Sequence, residues 1–177
     1  MVGAITIHRG DITTDEQADA IVNAANAALQ GGGGVDGAIH RAAGPSVLDE
    51  CRGLGGCQTG DAKVTRAGRL KAKIIVHAVG PVWRGGGHGE EAALASCYQR
   101  SIELAAAHGC ARVALPAIST GVFEYPLRAA AAVTTASLQV ALKQYQQVAE
   151  ARLWLFDEDS YEVFSAALRS GEERHRG

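Results

Sequence analysis

The chain has no long uninterrupted apolar run among its 177 residues, so nothing in it reads as a membrane span. Its first residues, Met1 to Arg9, lack the basic start, apolar stretch and small-residue cleavage site of a signal peptide, which makes the cytoplasm the expected location. Lysine and arginine number 17 against 19 aspartates and glutamates, a formal net charge of -2, with no basic stripe of the kind that tracks a phosphate backbone. Aromatic residues are scarce at 5% and do not interleave with basic ones. Nucleic acid is therefore a disfavoured partner. The four cysteines, Cys51, Cys57, Cys97 and Cys110, form no C-x-x-C pair and have no histidines at zinc-type spacing. They read as reduced, packed thiols, and neither a metal nor a cofactor is expected. No cysteine or serine with a local histidine stands out as a nucleophile.

What is present is an ordinary globular composition, 47% hydrophobic, at a length that suits one domain. Apolar, β-branched segments alternate with helical patterns, which predicts an α/β sheet covered by helices on both faces. Strands are expected at Ala4 to His8, Ala20 to Asn23, Ala62 to Thr65, Ile74 to Val79, Val113 to Pro116 and Leu153 to Phe156. Helices are expected at Val35 to Ala43, Ser46 to Cys51, Glu90 to His108, within Tyr125 to Ala149, and at Ser160 to Arg169 with Ser160 as its cap. The domain is drawn at residues 1–171, with a charged tail at 172–177 expected to fray. The run Arg84 to Gly89 is glycine-rich without carboxamide partners and reads as a flexible connection.

One stretch carries chemistry. The strand ending Val22-Asn23-Ala24-Ala25-Asn26 delivers two carboxamides, and Gly31-Gly32-Gly33-Gly34-Val35-Asp36-Gly37-Ala38-Ile39-His40 then opens a helix. Successive glycines allow backbone N–H groups to turn onto an anion, and the helix N-terminus adds its dipole. Asp36 is unfavourable beside a phosphate, so it is expected to face sugar hydroxyls or a water. A second anion-binding candidate is Ile118-Ser119-Thr120-Gly121-Val122-Phe123. Asp11, in Gly10-Asp11-Ile12-Thr13, either caps the following turn or accepts from an exocyclic amine. Asn23 either ties down adjacent loops or contacts a ligand directly.

These motifs, with Cys57-Gln58-Thr59-Gly60, Val79-Gly80-Pro81-Val82-Trp83 and Phe156-Asp157-Glu158, resemble in order the signature of macrodomains, in particular the MacroD-type ADP-ribosyl hydrolases. The bacterial O-acetyl-ADP-ribose deacetylase branch is the most similar in character. The resemblance implies a single-domain three-layer α/β/α sandwich around a central mixed, mostly parallel sheet. It implies ADP-ribose and O-acetyl-ADP-ribose as ligands and mono-ADP-ribosylated proteins as partners. In that reading Asp11 recognises the adenine amino group, the neighbouring Ile12 backbone N–H can donate to a ring nitrogen, and Phe156 stacks on the ring. Gly32, Gly33, Gly34 and Val35 face Ser119, Thr120, Gly121 and Val122 across the diphosphate, and Phe123 packs on the distal ribose. Asn23 is grouped with the ligand-binding residues.

The same resemblance places Asn26, Asp36 and His40 in the reactive half of the cleft. Asp36 and His40 stand at i and i+4 on one helix face, where the bland reading is a dipole-stabilised acid with a paired imidazole. The implied activity is a metal-independent hydrolase that removes mono-ADP-ribose from acidic side chains and deacetylates O-acetyl-ADP-ribose. Rival readings are a non-catalytic ADP-ribose reader, an RNA- or ribonuclease-associated regulator, and a phosphatase for a terminal ribose phosphate. One departure stands out: Glu124 precedes Tyr125-Pro126 where the family usually has glycine.

Overall fold

A computed structural model describes residues 1–177. Six strands, β1 (Ala4–Arg9), β2 (Ala20–Ala25), β3 (Ala62–Arg66), β4 (Ile74–Val79), β5 (Arg112–Pro116) and β6 (Glu150–Leu155), make one sheet in the order β1-β6-β5-β2-β4-β3. Every neighbouring pair is parallel except β3 with β4. The helices are α1 (Gly34–Ala43), α2 (Pro45–Arg52), α3 (Glu90–Ala107), α4 (Leu127–Gln144) and α5 (Glu158–Arg176), and a single 3₁₀ turn spans Ile12–Thr14.

The inner strands β2, β4, β5 and β6 are buried on both faces, and their period of two sorts the core into two layers. Ile21, Ala25, Ile75, Val79 and Ala114 pack with Ile39, Val47 and Cys51 of α1 and α2. Their alternates Val22, Val76, Ala78, Val113, Leu115 and Leu153 pack with Leu94, Tyr98, Leu138 and Phe164 of α3 to α5. This is the three-layer α/β/α sandwich with a mixed, mostly parallel sheet that the motifs implied. No helix is long and apolar enough to cross a membrane.

Because five strands run the same way, the loops after β1, β6, β5, β2 and β4 all emerge at one edge of the sheet, where open α/β sheets form clefts. From β1 to β2 is three inter-strand steps, roughly 14 Å. The loop after β1 is anchored by Asp15, whose Oδ2 accepts from Arg152 Nε and Trp154 Nε1 of β6, both at 2.8 Å. Burial would raise the Asp15 pKa, but the Arg152 hydrogen bond and other donors outweigh it and hold the carboxyl below its ordinary value.

Three local expectations change. Helix α5 is capped by Asp157, whose Oδ1 accepts from Ser160 N at 2.8 Å, so Ser160 lies inside the helix and is not its cap. Nor does α5 stop before Gly171: it continues to Arg176, and residues 172–176 are helical. Gly171 is buried against Gln139 of α4, where a Cβ would come within 3.1 Å of the amide, so this glycine permits close helix packing instead of ending the helix. The run Arg84 to Gly89 is held in place. Buried Glu90 accepts from Arg84 N (3.0 Å), Gly86 N (2.8 Å) and His88 N (2.6 Å). Burial raises the Glu90 pKa, yet these backbone donors dominate and bring it down to about 2.

Candidate active site

The register of β2 on β4 sets Asn23 opposite His77, and period two points both toward α1 and α2. Asn23, 0% exposed, donates through Nδ2 to Asp36 Oδ1 (2.7 Å) and to His77 Nδ1 (3.0 Å). Since His77 Nδ1 accepts, its proton is assigned to Nε2, which lies 2.9 Å from Thr65 Oγ1, and Thr65 in turn donates to Arg66 O. A buried chain of hydrogen bonds thus runs from the β3 backbone to Asp36 and fixes that carboxylate. The direct-contact reading of Asn23 gives way to the tying one: it lies behind Asp36, with no surface of its own.

Asp36 itself is 6% exposed in the first turn of α1. His40 Nε2 stands 3.3 Å from Oδ1, while Oδ2 makes no hydrogen bond within the protein and is not fully enclosed. A Cβ added to Gly32 would sit 3.2 Å from Oδ2 and 3.6 Å from Asn26 Nδ2, so glycine lets the backbone pass against both. Asn26 Nδ2 donates to Gly31 O at 2.9 Å. Gly33 caps α1 without any side-chain partner, which leaves the first amides of the helix, at Gly34 and Val35, without intrahelical acceptors. A Cβ on Gly33 or Gly34 would meet nothing within 4 Å, so this side is open.

In the loop after the neighbouring strand β5, Ser119 takes a left-handed conformation (φ 67), with its Oγ buried against Gly80. Thr120 Oγ1 bonds Ala117 O at 2.9 Å, and Glu124 N closes the turn on Gly121 O at 2.9 Å. Val122 is 92% exposed and Phe156 81% exposed, while Phe123 is half-buried. Large apolar side chains left in water at the rim of a cleft are surface that a ligand can cover. Asp11 does cap its turn: Oδ1 accepts from Thr13 N (2.9 Å) and Thr13 Oγ1 (2.7 Å), leaving Oδ2 unused. The Ile12 side chain is buried, so the group it can offer is the amide heading the 3₁₀ turn.

One observation unites these parts. Four buried side-chain atoms of the chain lack a hydrogen-bond partner, Asn23 Oδ1, Asn26 Oδ1, His40 Nδ1 and Ser119 Oγ, and all four belong to these two loops and the strand and helix joined to them. Each costs about 1–3 kcal/mol when left unpaired. Clustering of that kind marks a functional region.

The macro domain family model matches residues 22–134, from β2 into α4. The O-acetyl-ADP-ribose deacetylase of Cronobacter sakazakii is 46% identical over 98% of this chain and 98% of its own. A solved macrodomain of Oceanobacillus iheyensis with ADP superimposes with a TM-score of 0.92 at 36% identity, covering 97% of this chain and 93% of that one. A Trypanosoma brucei macrodomain in complex with ADP-ribose gives 0.86 at 38% identity, over 93% and 68%. The chain belongs to the macro domain family.

Two features of this macrodomain were missed in the sequence. His40, Cys51 and His77 come from α1, α2 and β4, yet each offers a possible metal-ligand atom within 4.8 Å of the others. Spacing along the chain had suggested no Cys/His set. Both His77 nitrogens already have partners, and Cys51 Sγ lies 3.6 Å from Nε2, so a metal there would have to displace Thr65. Burial raises the Cys51 pKa to about 11, with Asp36 and Glu50 adding to it, which keeps the thiol protonated.

The second is Gly80, where β4 and the Ser119 loop touch. An added Cβ would collide with Ser119 Oγ and Ile118 Cγ2. Gly80→Ala is expected to push that loop outward and weaken ADP-ribose binding about tenfold by calorimetry, with near-wild-type circular dichroism. Glu124 holds φ 60 and is exposed. Glu124→Gly relieves the left-handed strain and is expected to raise unfolding free energy in urea by about 0.5–1 kcal/mol, with ligand affinity unchanged.

Proposed function

We propose that this macrodomain hydrolyses esters carried on the distal ribose of ADP-ribose, removing mono-ADP-ribose from acidic side chains and deacetylating O-acetyl-ADP-ribose without needing a metal. The observation that carries the reading is Asp36: a carboxylate fixed through one oxygen by Asn23, with the other free beside Asn26 at the mouth of a glycine loop. A pocket made only to bind an anion gains nothing from a buried negative charge at that place. The deacetylase relative, 46% identical along nearly the whole chain, supports the same choice.

Adenine lies at the β1 and β6 end, between Asp11 Oδ2, the Ile12 amide and Phe156. The diphosphate lies between the amides at Gly33 to Val35 and the Ser119 to Val122 loop. This left-to-right order follows the strand order, and the roughly 14 Å available suits an extended ligand with two sugars. Phe123 packs on the distal ribose, whose hydroxyls supply the donor that Asn26 Oδ1 lacks. Asp36 Oδ2 takes a proton from a water as the water oxygen attacks the acyl carbon. The acyl C–O(ribose) bond breaks, and the departing ribose oxygen takes that proton back from Asp36 Oδ2, giving ADP-ribose and a free carboxylic acid. His40 stays against Oδ1 and keeps Oδ2 aimed at the water. General-base help of this kind contributes about 10²–10⁴-fold. An acylated ribose and a ribose joined to a glutamate present the same bond, so one site serves both.

The test is acetate release from O-acetyl-ADP-ribose with a chelator in excess. Turnover well above the uncatalysed rate is the expected result, and acetate release no faster than without protein would overturn the reading.

A further inference from the structure

Outside the cleft, a cavity of about 270 Å³ opens between the loop after β4, the start of α3 and the first turns of α4. Trp83 and Tyr125 form two of its walls, their rings tilted at 54° with centroids 4.7 Å apart. Gly86 lies against the indole, where an added Cβ would come within 2.9 Å of Cη2. The Glu90 carboxylate fixes Gly86 there through the loop amides. Glu91 is the one charged residue of the lining, and Ala129 and Val133 supply small apolar surface. Tyr125 is 4% exposed, and its hydroxyl, which makes no hydrogen bond within the protein, reaches solvent. Burial raises its pKa, and the Glu91 and Glu90 carboxylates push it further, which places the phenol in a field of negative charge.

Two aromatic rings, a phenol oxygen and a carboxylate, with no basic group among them, attract a cation. The apolar walls suit the aliphatic stem of a long side chain. The cavity is also tied to the proposed ribose site: Trp83 N donates to Phe123 O at 2.8 Å and Tyr125 N to Ser119 O at 2.9 Å. Both aromatic walls thus hang from the loop that faces the distal ribose, the end of the ligand that carries the modified protein. Glu124, on that loop, adds an exposed carboxylate to that of Glu91 in α3.

We propose that this cavity is a subsite for a lysine or arginine side chain of the modified protein, so that acidic residues bearing ADP-ribose near a basic residue are the preferred substrates. The inference rests on the ADP-ribosyl ester reading above and adds its choice of protein. A matched pair of peptides carries one ADP-ribosyl group and, at positions up to four residues on either side of it, either lysine or its uncharged analogue norleucine. Ester-linked versions report hydrolysis, and non-hydrolysable amide-linked versions report binding by calorimetry.

The expected result is about tenfold tighter binding and higher kcat/KM for the best lysine peptide. The preference should fall below about twofold in Glu91→Gln and in Trp83→Leu. Deacetylation of O-acetyl-ADP-ribose, which brings no side chain, should be unchanged in Glu91→Gln. Equal binding of lysine and norleucine peptides at every position would overturn the subsite, as would a preference untouched in Glu91→Gln. Lysine-dependent binding without hydrolysis of any ester would sink the hydrolase reading and leave the subsite standing.

Discussion

Asp36→Asn lowers release of ADP-ribose from an ester substrate by about 10²–10⁴-fold and leaves affinity for ADP-ribose unchanged or slightly tighter. The carboxamide fills the same volume, and its oxygen can still accept from Asn23 Nδ2, now 2.7 Å from Oδ1, so α1 keeps its place. What is lost is the second oxygen, replaced by an NH₂ that cannot take a proton from water. Removing a negative charge near a bound diphosphate relieves repulsion, so binding does not suffer. Single-turnover hydrolysis and calorimetry with ADP-ribose separate the two effects. Full activity in the variant would move water activation from Asp36 to the substrate's own phosphate.

Acid destabilises the fold well above the pH where carboxylates titrate, and His77 is the cause. Burial, helped by the neighbouring His40 imidazole, lowers the His77 pKa from its ordinary 6.5 to about 4. Between those values the unfolded chain binds a proton at this site and the folded chain does not. Stability is therefore lost as pH falls from 6.5 to 4, by about 3 kcal/mol in all, and this contribution levels off below pH 4. Glu90 acts with the same sign at lower pH: its depressed pKa contributes stability that is fully present above its unfolded value of 4.5 and is lost as pH falls from there toward 2. His77→Gln keeps hydrogen-bonding capacity without the titration. Urea unfolding at pH 7 and pH 4.5 is expected to show a loss in the wild type that is largely absent from the variant. Equal losses in both proteins would remove His77 as the source.

The strands, the helices and the loops that gather at one sheet edge were readable in the sequence, because each loop motif directly follows a β-branched run. Gly32 to Val35 and Ser119 to Phe123 follow the neighbouring parallel strands β2 and β5 and therefore emerge at the same sheet edge. What could not be read was everything that depends on register. His77 gave no local signal, since its partners Asn23, Thr65 and Cys51 lie 54, 12 and 26 residues away. Only the pairing of β2, β3 and β4 sets Asn23 and Thr65 beside His77, and only the packing of α2 on the sheet adds Cys51. Gly80 stands inside the Val79 to Trp83 motif, but nothing in that motif shows the Ser119 side chain packed against it. Glu90 reads in the sequence only as the first residue of a helix, and the folded loop shows three amides converging on its carboxylate. The continuation of α5 past Gly171 depends on a contact with Gln139 of another helix, which local propensity does not encode.

The central claim is that the Asp36 carboxylate acts on an ester instead of merely lining a binding pocket. The most direct measurement is release of free ADP-ribose from a protein mono-ADP-ribosylated on glutamate, followed by intact-mass spectrometry with a metal chelator present. The account predicts catalytic loss of the ADP-ribosyl mass and recovery of unmodified glutamate. Tight ADP-ribose binding with the modified protein left intact would contradict it and make this macrodomain a reader.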